Sequence, residues 1–187
     1  MTNIIGLSGH KRSGKNAAYI LAKLLLDPDE TGRVVRLGFA DPLKKMARDE
    51  FGWDGRKDEN GRKLLQDLGV AMRSVNEDYW VRKMAARLNE LIGSRMFPAK
   101  KEPPLAILVT DCRFDNEIEM IKRLGGVVWR LERPGLPKTD THVSETALDD
   151  YQFDHLIVAD NLDELFAGVK AGLTKLNLYG GPYSKED

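Results

Sequence analysis

The segment Gly9-His10-Lys11-Arg12-Ser13-Gly14-Lys15 lies between the apolar run Ile4-Ile5-Gly6-Leu7 and the segment Asn16-Ala17-Ala18-Tyr19-Ile20-Leu21-Ala22. Few folds accommodate that order. It reads as strand, glycine-rich turn and helix start, the context in which GxxxxGK describes a phosphate cradle. Gly9 and Gly14 permit backbone conformations that a Cβ would penalise, so successive N–H groups can line a nest for phosphate oxygens. The following helix directs its positive end to the same place. Lys15 then serves the β- and γ-phosphates as a point charge, Lys11 and Arg12 add positive potential at the rim, and Ser13 belongs to the same loop. The expected ligand is a nucleoside triphosphate. Asn16 stands where the pattern usually has Ser or Thr, whose hydroxyl binds Mg²⁺. Its amide oxygen can serve that hard cation directly or through water. The alternative, a turn that binds nothing, leaves three basic residues among the glycines unexplained.

A chain of 187 residues suits one domain carrying an insertion. Acidic and basic residues balance at 29 each, so no global field points to nucleic acid or to an anionic membrane as partner. The single cysteine, Cys112, and the lack of an early signal-peptide pattern make the cytoplasm the expected compartment. Apolar runs such as Leu105 to Val109 are too short to span a bilayer. The histidines His10, His142 and His155 have no metal-cluster spacing.

After the first helix, Asp27 to Gly32 is turn chemistry and Val34 to Phe39 a second strand. Asp41-Pro42 opens another helix, with Asp41 as N-cap and Leu43, Met46, Ala47 and Phe51 as its buried stripe. A third helix carries Leu64, Leu65, Leu68 and Met72, and Asn76 caps a fourth running from about Glu77 to about Leu91. These helices, over about residues 41–100, exceed an ordinary crossover and read as an inserted helical region, with Pro98 to Pro104 as its return linker. Leu105 to Thr110 is a buried parallel strand ending at Asp111. A helix from about Asp115 to about Leu124, a strand at Val127 to Leu131, a polar loop at Arg133 to Glu145, a strand at His155 to Ala159 and a closing helix complete the chain. Strands alternating with helices imply an α/β fold around a parallel sheet, with ligands at the carboxyl ends of its strands.

Asp111 ends an apolar strand as a metal-side acid would beside a triphosphate, unless it merely caps the next helix. Arg113 could stabilise a transferring phosphoryl group, or form a salt bridge to Asp115 or Glu117. In the helical region, Lys44, Arg62, Arg73 and Arg82 offer charge to an acceptor phosphate, while Gln66, Trp53, Tyr79 and Trp80 offer amide edges and rings to a base. A simple hydrolase needs no such second set.

The chain resembles the deoxynucleoside monophosphate kinases of tailed bacteriophages, a branch of the P-loop kinases. The likeness is carried by Leu7 to Lys15, Arg62-Lys63-Leu64-Leu65-Gln66-Asp67-Leu68-Gly69, Asp78-Tyr79-Trp80-Val81, Thr110-Asp111-Cys112-Arg113, Arg133-Pro134-Gly135 and Thr141-His142-Val143-Ser144-Glu145. The resemblance implies a three-layer P-loop kinase fold, a five-stranded parallel sheet in the order 2-3-1-4-5, an acceptor-binding helical region and a short lid at about residues 133–145. It implies transfer of a phosphoryl group from ATP, with Mg²⁺, to a deoxynucleoside monophosphate, in the host cytoplasm if the gene is a phage's. Gly9 to Asn16 then form the donor phosphate site, and Arg133 and Asn161 lie on the donor side. Lys11, Asp41, Lys44, Arg62, Gln66, Arg73, Trp80 and Arg113 are the acceptor-binding set, Lys15, Asp111 and Arg113 the catalytic one, and Asn16 and Asp111 the metal side. A homodimer is compatible with the resemblance. Two rivals remain open here: another small P-loop kinase, such as one acting on dephospho-coenzyme A, and a nucleotide-binding switch or ATPase with no small-molecule acceptor.

Overall fold

In the N-terminal strand, alternate residues face opposite sides of the sheet, and both sides are apolar. Strand β1 (Asn3–Ser8) places Ile5 and Leu7 on one face, fully buried, and Ile4 and Gly6 on the other. A strand covered on both faces calls for helices on both. The computed structural model describes residues 2–92, 103–137 and 142–180. These divide into two units, one drawn from Met1–Leu37 and Lys100–Asp187, the other from Gly38–Ala99.

The first unit is the sheet. Its strands are β1, β2 (Val34–Leu37), β3 (Ala106–Val109), β4 (Val127–Glu132) and β5 (His155–Val158), all parallel, in the order β2-β3-β1-β4-β5. Helices α1 (Lys15–Leu26) and α7 (Leu162–Lys175) cover one face. Leu21, Ala22, Leu165, Val169 and Leu173 bury themselves there against Ile5, Leu7, Leu108, Trp129 and Ile157. On the other face α5 (Asp115–Arg123) approaches closely because Gly6 has no side chain. A Cβ there would stand 2.8 Å from Ile121 Cδ1 and 2.9 Å from Cys112 Sγ. A short helix, α6 (Val143–Thr146), lies between β4 and β5. Since every strand runs the same way, the segments after β1, β3 and β4 leave the sheet along one edge.

The second unit contains α2 (Ala40–Phe51), α3 (Glu59–Val75) and α4 (Tyr79–Ile92). Several sequence expectations need correcting here. Strand β2 stops at Leu37, and Phe39, not Asp41, is the residue before α2; the Asp41 N–H bonds Gly38 O at 3.0 Å, drawing that turn into the helix entrance. Pro42 stays within the first turn, where N–H groups lack intrahelical partners in any case. Phe51 is 55% exposed rather than part of the buried stripe. Gly52 closes the helix in the left-handed region, and the reversed chain puts Trp53, not Phe51, into the core with Ala47 and Leu68. Asp58 caps α3 by accepting the Gly61 N–H at 2.8 Å. Asn76 Oδ1 accepts the Asp78 N–H, so it caps a turn through Glu77 and Asp78, and α4 begins at Tyr79. The expected linker overlaps residues 98–102 and the expected lid overlaps residues 138–141, and both stretches lie outside the described residues.

Candidate active site

The loop between β1 and α1 is shaped by three left-handed residues. Gly9 has φ 143°, and a Cβ on it would run into the Leu131 carbonyl and Ser13 Oγ. Gly14, with φ 101°, is the N-cap of α1. Between them Arg12 adopts φ 67°, a conformation that costs a non-glycine residue about 1 kcal/mol or more and is typically held in place by its surroundings. The Ser13 N–H bonds His10 O at 3.1 Å and closes the turn.

Lys15, the first residue of α1, reaches back across this loop. Its Nζ donates to Gly9 O at 2.5 Å, His10 O at 2.7 Å and Ser13 Oγ at 3.4 Å. Burial lowers its pKa to about 8; Arg113 and Arg130 push the same way, against Glu145 and Asp111. Those five charged residues therefore occupy one electrostatic neighbourhood.

The segment after β3 is tied to β1 by the Cys112 N–H, which bonds Leu7 O at 3.1 Å. That bond carries Asp111 and Arg113 toward the loop. The Arg113 backbone N–H donates to Glu117 Oε2 at 2.8 Å. Its guanidinium pairs with neither Asp115 nor Glu117, the partners weighed from the sequence. Nη1 instead donates to Ser144 O at 2.9 Å and to Glu145 Oε1. The other oxygen, Glu145 Oε2, accepts the Lys11 N–H at 2.8 Å.

A second acid from the same segment backs the loop. Asp149 Oδ1 lies 2.7 Å from Arg130 Nη2 and 2.9 Å from His10 Nε2. Arg130 is 4% exposed, paired with Ser8 in the β1–β4 register, and sits 5.4 Å over the Phe153 ring. Burying a guanidinium so deeply requires partners of this kind. Sequence reasoning carried Glu145 only as the end of the Thr141–Glu145 likeness segment and of the expected lid, and gave no individual role to Asp149 or Arg130. For Arg130 the available signal was a charged residue inside the apolar strand Val127-Val128-Trp129-Arg130-Leu131.

Asn16 is exposed on the first turn of α1. Arg133 follows β4, its Nε 3.8 Å from Asp160 Oδ1. With His10, Ser13, Leu131, Pro134, Leu136 and Val158 it lines an open, mostly apolar pocket of about 120 Å³ beside the loop. Asn161 caps α7 by accepting the Glu164 N–H at 3.0 Å. Among the described residues no three His, Cys, Asp or Glu side chains gather as a preformed metal site, and no helix is long and apolar enough to cross a membrane.

The candidates in the helical unit are arranged differently. Asp41 and Lys44 pair with each other at 3.1 Å on α2. Arg62 is exposed near the start of α3, and Gln66 and Arg73 are half-buried on the same helix. Trp80 is buried, edge-on to Tyr79, with its indole N–H directed at Gly69 O. Trp53 belongs to the core, donating to Arg56 O at 2.8 Å beneath the Arg48 guanidinium.

A family model described as deoxynucleotide monophosphate kinase matches residues 53–169. A protein of Acanthamoeba polyphaga mimivirus, provisionally given that name, is 29% identical over 89% of this chain and 93% of its own length. The deoxynucleotide monophosphate kinase of Enterobacteria phage T4 is 31% identical over 62% of this chain, and that of Escherichia phage RB69 is 30% identical over 58%. The matched stretches take in 46% and 43% of those two phage proteins, less than half of each.

Proposed function

The chain belongs to the deoxynucleotide monophosphate kinase family, and from that premise we propose that it transfers the γ-phosphoryl group of ATP to a deoxynucleoside monophosphate, yielding the diphosphate and ADP. The observation that carries this reading is the meeting of Lys15, Asp111 and Arg113 around a glycine loop at the carboxyl edge of a parallel sheet. Phosphoryl transfer asks little covalent chemistry of a protein. It asks that two anions be aligned and their charge offset.

The loop N–H groups from Gly9 to Asn16, with Lys11, Arg12 and Ser13, hold the donor phosphates, and Lys15 spans the β- and γ-positions. Without nucleotide its ammonium rests on loop oxygens, which it exchanges for phosphate oxygens when the donor binds. Arg113 directs its guanidinium at the charge that grows on the transferring group. Asn16 and Asp111 would hold Mg²⁺ through an amide and a carboxylate oxygen, and the ion would supply neutralisation of phosphate charge. Arg133 and the pocket it lines serve the donor nucleotide, with Asn161 beside it, and the region at about residues 133–145 acts as a lid that keeps water from the γ-phosphate. For the acceptor, Asp41, Lys44, Arg62, Gln66 and Arg73 of the helical unit, and Lys11 and Arg113 of the sheet unit, supply polar contacts, and Trp80, buried with its indole N–H on Gly69 O, acts through the helix packing it fixes rather than by touching the ligand. The substrates are those of the cytoplasm, the host's if the gene is a phage's, with neither nucleic acid nor membrane as partner.

Incubation with Mg-ATP and each common deoxy- and ribonucleoside monophosphate in turn, with products resolved by chromatography, tests the proposal. Equal amounts of ADP and a deoxynucleoside diphosphate are expected. ADP without a phosphorylated acceptor would replace the kinase reading with that of an ATPase.

A further inference from the structure

We infer that Glu145 is a positioning residue for phosphoryl transfer, which fixes Arg113 against the phosphate loop and acts through that arginine; the inference rests on the kinase reading. Its carboxylate bridges two parts of the site. Oε2 accepts the backbone N–H of Lys11, inside the loop, and Oε1 takes Nη1 of Arg113. One rigid carboxylate thus sets the spacing between the phosphate-binding backbone and the guanidinium.

The rest of the guanidinium is left available. Both bonds from the Arg113 side chain, to Glu145 and to Ser144 O, leave from Nη1. Among the described residues Nη2 and Nε donate to no protein group, so a planar pair of donors stays free for phosphate oxygens. An unheld arginine loses rotamer freedom on meeting the transition state. Holding it beforehand removes that cost.

Glu145 is itself well held. Its side chain is 7% exposed, its N–H bonds His142 O at 2.8 Å, and the His142 ring accepts the Ser144 N–H at the start of α6. Its charge also offsets the mutual repulsion of Arg113 and Lys15, both of which lie within its reach.

The test is a double-mutant cycle of Glu145→Gln with Arg113→Ala, scored on kcat and on KM for both substrates. Alone, Glu145→Gln is expected to lower kcat by ~10-fold or more while moving each KM by less than about threefold. In the Arg113→Ala background the same change is expected to cost less than about twofold, because the group it orients is gone. Equal losses in both backgrounds, or no loss in either, would overturn the inference. Should Glu145→Gln unfold at the assay temperature, Glu145→Asp enters the same cycle with the same criteria. A wild-type protein that phosphorylates no acceptor would sink the kinase reading and the inference with it. An active wild type with an additive cycle sinks the inference alone.

Discussion

The sheet unit and the helical unit hold their chemistry-bearing side chains in opposite ways. In the sheet unit Arg130 is buried and Lys15, Arg113 and Glu145 are partly buried, and each is fixed by hydrogen bonds to backbone carbonyls, a backbone N–H or a side chain of opposite charge. In the helical unit Arg62 is exposed, Asp41 and Lys44 satisfy each other, and Trp80 and Trp53 are spent on the core. The first pattern is preorganisation, which favours a transition state. The second leaves charges at the surface, which on the proposed reading gain value when the acceptor arrives. Donor-side chemistry and acceptor recognition should therefore respond differently to mutation.

The largest effect is expected at the fixed site. Lys15→Ala or Arg113→Ala should lower kcat by ~10²-fold or more with the fold intact. Full activity in either variant would remove that residue from the catalytic set and blur the contrast.

The scaffold behind the loop comes next. Asp27, at the end of α1, accepts the N–H groups of Thr31, Gly32, Arg33 and Val34 and the Thr31 hydroxyl. Asp27→Ala strands those donors and should cost about 2 kcal/mol in chemical denaturation. Burial pushes the carboxyl pKa up, but the bonds from Thr31, Val34 and Gly32 outweigh it and leave it below the ordinary value. A depressed folded pKa contributes stability above the unfolded value of roughly 4, and that contribution is lost as pH falls through the folded one. The difference in stability between wild type and Asp27→Ala should accordingly shrink in acid. A difference independent of pH would show that the carboxylate's charge is irrelevant there.

Arg62→Ala sharpens the comparison from the other side. On an exposed, recognising surface it should raise KM for the acceptor by ~10-fold while leaving KM for ATP and the melting temperature almost unmoved. A fall in kcat with KM unchanged would place Arg62 with the preorganised group instead.

The smallest effect is a proton. Free Lys15, with a pKa of about 8, is half charged at that pH, and a bound triphosphate holds it charged. ATP binding near pH 8 should take up about half a proton, and affinity should weaken as pH rises further. Calorimetry in buffers of differing ionisation enthalpy reads this directly. No uptake would mean that Lys15 is fully charged before the nucleotide arrives.

Much of the glycine loop's geometry was legible in the primary sequence because its determinants are local. Gly9, Gly14 and Lys15 are bound to a strand–turn–helix by backbone geometry, and the apolar run from Leu105 to Val109 announces a buried parallel strand ending beside Asp111. Parallel strands with helical crossovers then place those two ends on one edge of the sheet. The partners of Arg113 and Arg130 followed no such rule. Glu145 meets Arg113 across 32 positions and Lys11 across 134, while Arg130 meets Asp149 across 19. Local patterning can mark a carboxylate as polar, but only the packing of α6 beside the loop determines which cation it faces. Phe51 shows the same limit in the core, since helical periodicity placed it inward and the left-handed turn at Gly52 sent Trp53 there instead. Local backbone chemistry thus determined the cradle and the strand order's ligand edge. Tertiary packing alone decided how its charges are paired, because Coulombic and hydrogen-bond energies depend on distances that sequence separation does not encode.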